Sequence, residues 1–437
     1  MRLEELPFDV YDYIFELVRR SESSYRCSKS SLFAASRTCR AWAEMTLPAR
    51  FHTLYLEVKI DEGESSEDYF LQDFVKEPVF DKLRQRRCVK ALDLTLDLRT
   101  SHERAMDFSD ILPEYLPLFP QLRTLTLRGP LLKRPETLPT WRLALDSFTY
   151  NGWSRVHVDL NPVALCDLLC LFTYLQEVTI ANIYSWDEED LADDSSLAST
   201  TSRPGWIIPH IRSVVLDQVP PSPSIRALLS ESGVQYLDSG YNWIWGPDFV
   251  YACGATLESL LWRLDCTPRS SDSGYAGPNP DLSRLCALRH LTLIIPFEDI
   301  REYANRQERC ASTWKMLATY LAMAHGRPKG SPPLDLDLHL ESHETIFGER
   351  QLMKASRKAF EHQQQLLQCV DGALTSLVSN GVVSAVKIRF RMTPRFRFVW
   401  LVHNCLNDPV ASAFPALLDI GGLHFEEPNC DCFSDGV

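Results

Sequence analysis

LRTLTL at residues 122–127 and LRHLTL at residues 288–293 differ at one position, although they lie in different halves of the chain. Each places Leu at its first, fourth and sixth positions: Leu122, Leu125 and Leu127 in one, Leu288, Leu291 and Leu293 in the other. Successive side chains of a strand point to opposite faces, so the fourth and sixth residues share a face. The hexapeptide therefore predicts a short strand with one buried face.

Looser copies, with other aliphatic or aromatic residues at the same places, start at Phe51, Val89, Leu175, Ile211 and Val383. Weaker ones start at Leu145, Val234, Leu257 and Pro333, the last carrying Leu336 and Leu338. Helical patterns fall between copies, at 162–173 (PVALCDLLCLFT), 223–231, 301–325 and 349–379. The longest has apolar positions Leu352, Ala355, Ala359, Leu366, Leu367 and Val370. Strand, loop, helix, strand is a unit that cannot bury its apolar face alone, so neighbours must stack. The array resembles a leucine-rich-repeat solenoid, and the expected fold class is α/β. Start-to-start spacing runs from 23 residues (Leu122 to Leu145) to 50 (Pro333 to Val383). Regular leucine-rich repeats run about 20–29 residues, so this one is irregular. The Asn or Cys usual after such strands is mostly missing. The alternative is a plain α/β domain with several sheets.

The first fifty residues follow another rule. Leu6-Pro7 opens a segment with Val10, Tyr13, Ile14, Leu17 and Val18 at the spacing of one helical stripe. Asp9 and Asp12 precede Arg19 and Arg20, the order that suits a helix dipole. After a polar stretch, Ser30 or Ser31 can cap a second helix bearing Leu32, Ala35, Cys39, Trp42 and Ala43. LPFDVYDYIFELV from Leu6, followed by LFAASRTCRAW with Leu32, Cys39 and Trp42 in an L-x-x-x-x-x-x-C-x-x-W pattern, resembles the F-box family. The continuation TLPARFHTLYLEV resembles the start of the receptor region in fungal F-box proteins. The resemblance implies an F-box helical module over 1–50 that docks on the Skp-type adaptor of an SCF cullin–RING ubiquitin ligase. It assigns Leu6, Pro7, Val10, Ile14, Leu32, Cys39 and Trp42 to that contact. A fifty-residue unit cannot hide so many large apolar groups by itself. The solenoid over 51–427 is then the receptor for a target protein, with a tail at 428–437. An interaction scaffold whose N-terminal helices only cap the array is the alternative function.

Charge and cysteines narrow the class. The net charge is -13, and residues 1–52 carry +1, so the remainder carries -14. An acidic body repels a phosphate backbone, so no nucleic-acid partner is expected. Arg389, Arg391, Arg395 and Arg397 form the best local basic stretch and read as a solvated strand face. Thirteen cysteines without a spacing rule, several inside apolar helical patterns, suit a reducing intracellular compartment, cytoplasmic or nuclear. No apolar run of about 18 residues suggests a membrane span.

Three stretches read as loops: the acidic 186–203, with Asp187, Glu188, Glu189, Asp190, Asp193 and Asp194; the proline turn 217–224; and the Ser/Gly/Pro-rich 265–282. No nucleophile elbow, phosphate loop or dinucleotide fingerprint occurs. His339 and His343 lack the Glu of a zinc-protease helix and read as surface histidines. Cys430 and Cys432 lack the second pair that a zinc site needs. No catalytic, cofactor or metal site is expected, and the chain is expected not to be an enzyme. A hydrolase or transferase hidden on an α/β fold would show a pocket with perturbed titratable groups. Trp153, Trp186, Tyr241, Trp243, Trp245 and Trp262 lie at or near strand ends and loops, where a large ring either fills a gap in an irregular core or anchors a partner, and the first five are the candidates for target contact.

Overall fold

The computed structural model describes residues 37, 46, 52–60, 87–98, 108, 112–113, 116–129, 131, 141–152, 160–183, 207–239, 247–264, 279–296, 314–342, 367–392, 399–400 and 411–424. The chain divides into two compact units, Met1–His210 with Ser222–Ile225, and Ile211–Pro221 with Arg226–Val437. The fold class is α/β and solenoid-like: in each unit parallel strands pair in the order of the sequence.

The first unit carries β1 (Thr53–Ile60), β2 (Ala91–Leu98), β3 (Thr124–Arg128), β4 (Leu143–Asn151) and β5 (Phe172–Ala181), each parallel to the next. Register aligns Leu92, Leu125, Phe148 and Val178 in one row, and Leu94, Leu127, Tyr150 and Ile180 in the next. All eight are buried. A side chain so buried contributes about 1.5–3 kcal/mol, which makes these rows the main support of the unit. The register is pinned just before each strand. The carbonyl of Lys90 accepts N–H groups from both Arg123 and Thr124, and that of Arg123 accepts from Asp146 and Ser147. After β3 the chain turns at Gly129 with φ 136°, where a Cβ would meet the Leu96 carbonyl oxygen at 2.6 Å. Only glycine fits there.

Helix α1 (Pro162–Leu169) precedes β5. Asn161 caps it, accepting the Ala164 N–H at 2.9 Å, and Pro162 fills the first turn. Its residues are apolar nearly all round, and all eight are buried, as befits a helix covered on every side. It ends earlier than the periodicity of 162–173 implies, because Phe172 already belongs to β5.

The second unit carries β6 (His210–Asp217), α2 (Pro223–Glu231), β7 (Tyr236–Asp238), α3 (Pro247–Cys253), β8 (Ser259–Arg263), β9 (His290–Pro296), α4 (314–322), β10 (Leu334–Ser342), α5 (367–379) and β11 (Val383–Met392). Strands β6 to β11 are parallel and consecutive. On its outer edge β11 pairs antiparallel with β12 (Val399–Trp400) and parallel with β13 (Leu423–His424), which follows α6 (Pro415–Asp419). Val214, Leu237, Leu260, Leu291, Leu336 and Val386 form one buried row across six strands.

All eleven hexapeptide starts lead into a strand, β1 to β11. The proline turn ends as read, with Pro223 opening α2 and Ser222 Oγ accepting the Ile225 N–H at 3.4 Å. The expected loop 265–282 needs correction at its end. Pro280 is buried, Asp281 caps the 3-10 turn Leu282–Arg284 through the Ser283 N–H, and Leu282 anchors it in the core. The expected helices 301–325 and 349–379 hold over the described 314–322 and 367–379, the first closing in a 3-10 turn at Met323–Gly326. Within 1–50 only Arg37 and Thr46 are described, so the helical module lies outside the described residues, as do 186–203 and the tail.

Two side chains fasten distant segments. The buried Asp371 carboxylate on α5 accepts the N–H groups of Ala416 and Leu417, both at 2.9 Å, and so caps α6 from another helix. The Arg327 guanidinium donates to the carbonyls of Pro332, Leu285 and Leu288 at 2.8, 3.3 and 2.6 Å. Replacing Asp371 by Ala leaves two donors orphaned, and a loss of about 2 kcal/mol in unfolding free energy is expected by urea titration. An unchanged midpoint would show that α6 does not depend on this cap.

Candidate functional site

The buried rows use one face of each sheet, and the alternate residues make the other. In the first unit this open face has two rows of short polar side chains. Thr124 and Ser147 form one, and Thr126, Thr149 and Thr179 the other, which continues to Asp93 and the exposed Tyr55. Arg128 donates to Asp93 Oδ1 across the face. At the strand exits Asn182, with φ 55°, donates its side-chain amide to Asn151 Oδ1 at 3.2 Å. Hydroxyls and amides standing on a sheet can hydrogen-bond a polypeptide laid across them.

The open face of the second unit is ionic. His290 Nδ1 lies 3.2 Å from Asp335 Oδ2, and Ser384 Oγ donates to Asp335 Oδ1. Asp337 stands between Thr292 and Lys387, and its Oδ2 is 3.2 Å from Arg389 Nε. His339 Nε2 is 3.2 Å from Asp337 Oδ1, within ion-pair reach but off the line of a hydrogen bond. Here a correction is needed. His339 is 6% exposed, not a surface histidine. Its register neighbour Ile294 is also buried, as are Ile295 and Leu340 on the other face. The far ends of β9 and β10 are thus covered on both sides, and the alternation that marks an open face stops there. Arg389 is half-buried against Asp337, so it is less solvated than the basic stretch implies.

Trp262 is 2% exposed and donates its indole N–H to Asn279 Oδ1 at 3.1 Å. It occupies the sixth position of the copy starting at Leu257, so its ring fills the core and cannot contact a target. Trp153, Trp186, Tyr241, Trp243 and Trp245 lie outside the described residues, as do Leu6, Pro7, Val10, Ile14, Leu32, Cys39 and Trp42, His343, Arg395, Arg397, Cys430 and Cys432.

Perturbed titratable groups trace to burial. Desolvation pushes the Cys170 and Cys253 thiols up to about 12, with Asp167 adding to the rise at Cys170. Tyr320 is raised well above the usual phenol range by burial, with Tyr251 and Asp281 adding to it. The Arg327 guanidinium is lowered by burial while its donors hold backbone carbonyls. Asp217, at the end of β6, is raised by desolvation, and its Oδ1 is buried without a hydrogen-bond partner. Among the described residues no group of three or more His, Cys, Asp or Glu is arranged to hold a metal ion, and no helix is long and apolar enough to cross a membrane. No protein-family model matches the chain, and a comparison with curated proteins returns no match.

Two expectations follow from these groups. A thiol raised to about 12 is almost entirely protonated at neutral pH, and only the thiolate is a nucleophile. In the native protein Cys170 and Cys253 should resist iodoacetamide while the exposed Cys286 and Cys369 are alkylated, as read by peptide mass spectrometry. Equal labelling of all four would contradict the packing. For Asp217 the folded state keeps its proton above the ordinary value of 3.8, so stability falls as pH rises through the interval between that value and the raised one. Asp217→Asn should therefore be more stable than the parent at neutral pH, with the advantage vanishing in acid below the ordinary carboxylate range. A thermal melting advantage that persists in acid would refute the assignment.

Proposed function

We propose that this chain is the substrate-recognition subunit of an SCF-type cullin–RING ubiquitin ligase. In this reading residues 1–50 dock on the Skp-type adaptor and the solenoid holds a target protein. The observation that carries it is the N-terminal pattern: Leu6-Pro7, the stripe through Val10 and Ile14, then Leu32, Cys39 and Trp42 at F-box spacing. The body is consistent with a receptor. Its strands stack in sequence order and leave polar open faces in both units, where side chains can vary without disturbing the buried rows.

Such a receptor makes and breaks no bond itself. Its contribution is proximity, holding the target beside the ligase and raising its effective concentration there. A few apolar anchors suffice for the adaptor contact, since each large buried side chain is worth roughly 1.5–3 kcal/mol. An interaction scaffold with a helical N-terminal cap is the reading that stands if adaptor docking fails.

Co-purification of the full chain with the Skp-type adaptor of the same organism tests the proposal, alongside a Leu6→Ala, Pro7→Ala double variant checked by circular dichroism. The adaptor is expected to co-elute with the parent and to be lost from the folded variant. A well-folded parent that brings down no adaptor would overturn the ligase role.

A further inference from the structure

We propose that the rim formed by the turns before β9 and β10 is a docking surface for an acidic peptide segment of a partner protein. The inference rests on the receptor reading in taking that partner to be a target.

The chain as a whole is acidic, at -13, yet this rim is not. Over the turns themselves, 279–289 and 323–333, there are four Lys or Arg and one acidic residue, Asp281. The Asp281 carboxylate caps the Ser283 N–H. The two turns are packed together. A Cβ on Gly326 would lie 3.1 Å from that of Ser283, and Arg327 reaches from one turn to the Leu285 and Leu288 carbonyls of the other. Half-buried Arg327 fixes the backbone, and three exposed cations stand on it: Arg284, Arg289 and Lys329. Arg284 is held with its guanidinium 4.1 Å from the centre of the Tyr251 ring, a stacking that still leaves its N–H edge to solvent. Arg289 occupies the exposed position whose carbonyl receives the Asp335 N–H, so its Cα is set by the ladder.

None of the three forms an ion pair among the described residues. Two acids lie close by and keep their charge: Asp335, engaged by His290 and Ser384, and the exposed Glu258, which immediately precedes β8 and forms no ion pair with Arg289. Arg284, held in place before binding, loses little freedom when an anion arrives. A short acidic segment fits this surface better than a nucleic acid does. The chain's net charge of -13 repels a long polyanion more than a short segment that carries few charges.

The test is fluorescence anisotropy on the full chain with a labelled peptide of about ten alternating Glu and Ser residues. Binding is expected at low ionic strength and should weaken as salt is added. An Arg289→Glu, Lys329→Glu double variant should lose about tenfold or more in affinity, while Lys90→Glu in the first unit changes nothing. Circular dichroism verifies that the double variant is folded, and Arg289→Gln, Lys329→Gln gives the same direction with less perturbation. Absence of binding by the parent at low salt, undiminished binding by both double variants, or equal competition by a single-stranded oligonucleotide of the same charge would overturn the proposal. Adaptor co-purification of the Glu variant is expected to be unchanged, so failure of the peptide test and failure of the ligase reading are separately visible.

Discussion

In-register parallel pairing is the constraint on which the rest of the structure depends. A strand shifted by one residue sends its whole apolar set to the wrong face. The hexapeptide prevents this twice over. Its fourth and sixth residues fill the two buried rows, and the carbonyl of its second residue receives paired N–H groups from the next strand, as at Lys90, Arg123, Gln235 and Glu258. Hydrophobic burial and backbone hydrogen bonding thus select the same register. A chain with such agreement between levels folds to one arrangement even when its repeats are unequal.

That agreement explains what could be read in advance. The strands were legible because period-two alternation with aliphatic residues is a local signal, and Leu122 to Leu127 carries all of it. The Asn161 cap and the Pro223 helix start were local too. The cap on α6 was not, because it lies on Asp371, 46 residues from Leu417. The Arg327 clamp, 39 and 42 residues from its acceptors, escaped for the same reason. Helices α3 and α6 are too short for their periodicity to stand out, and β12 and β13 are two-residue strands that exist only by pairing with β11.

Place in the repeat and tertiary cover decide exposure where residue type does not. Trp262 is aromatic and near a strand end, which leaves core and contact readings open, and the sixth position of the Leu257 copy makes it a core residue. His339 sits at an alternate position where solvent is the expectation, but Ile294 beside it is buried as well. The cover over that end of the sheet comes from tertiary structure, which alternation along one strand cannot foresee. The basic rim was missed because Arg284, Arg289 and Lys329 belong to two separate turns and become neighbours only when Gly326 packs on Ser283.

Irregular spacing is the physical counterpart of this division of labour. Lengthening a loop costs conformational entropy only as its logarithm, about 0.6 kcal/mol per doubling, so repeats as unequal as 23 and 50 residues can each pair in a parallel ladder. Positions that fix the register are apolar and few. The open-face and rim positions are left to vary, and they have diverged, with hydroxyls in the first unit and ion pairs in the second. For the receptor role proposed above this separation is useful, because a ladder held by buried rows lets substitutions at the rim alter recognition without altering the fold. Charge at Arg284, Arg289 and Lys329 contributes nothing to the buried rows, so it is free to serve a partner.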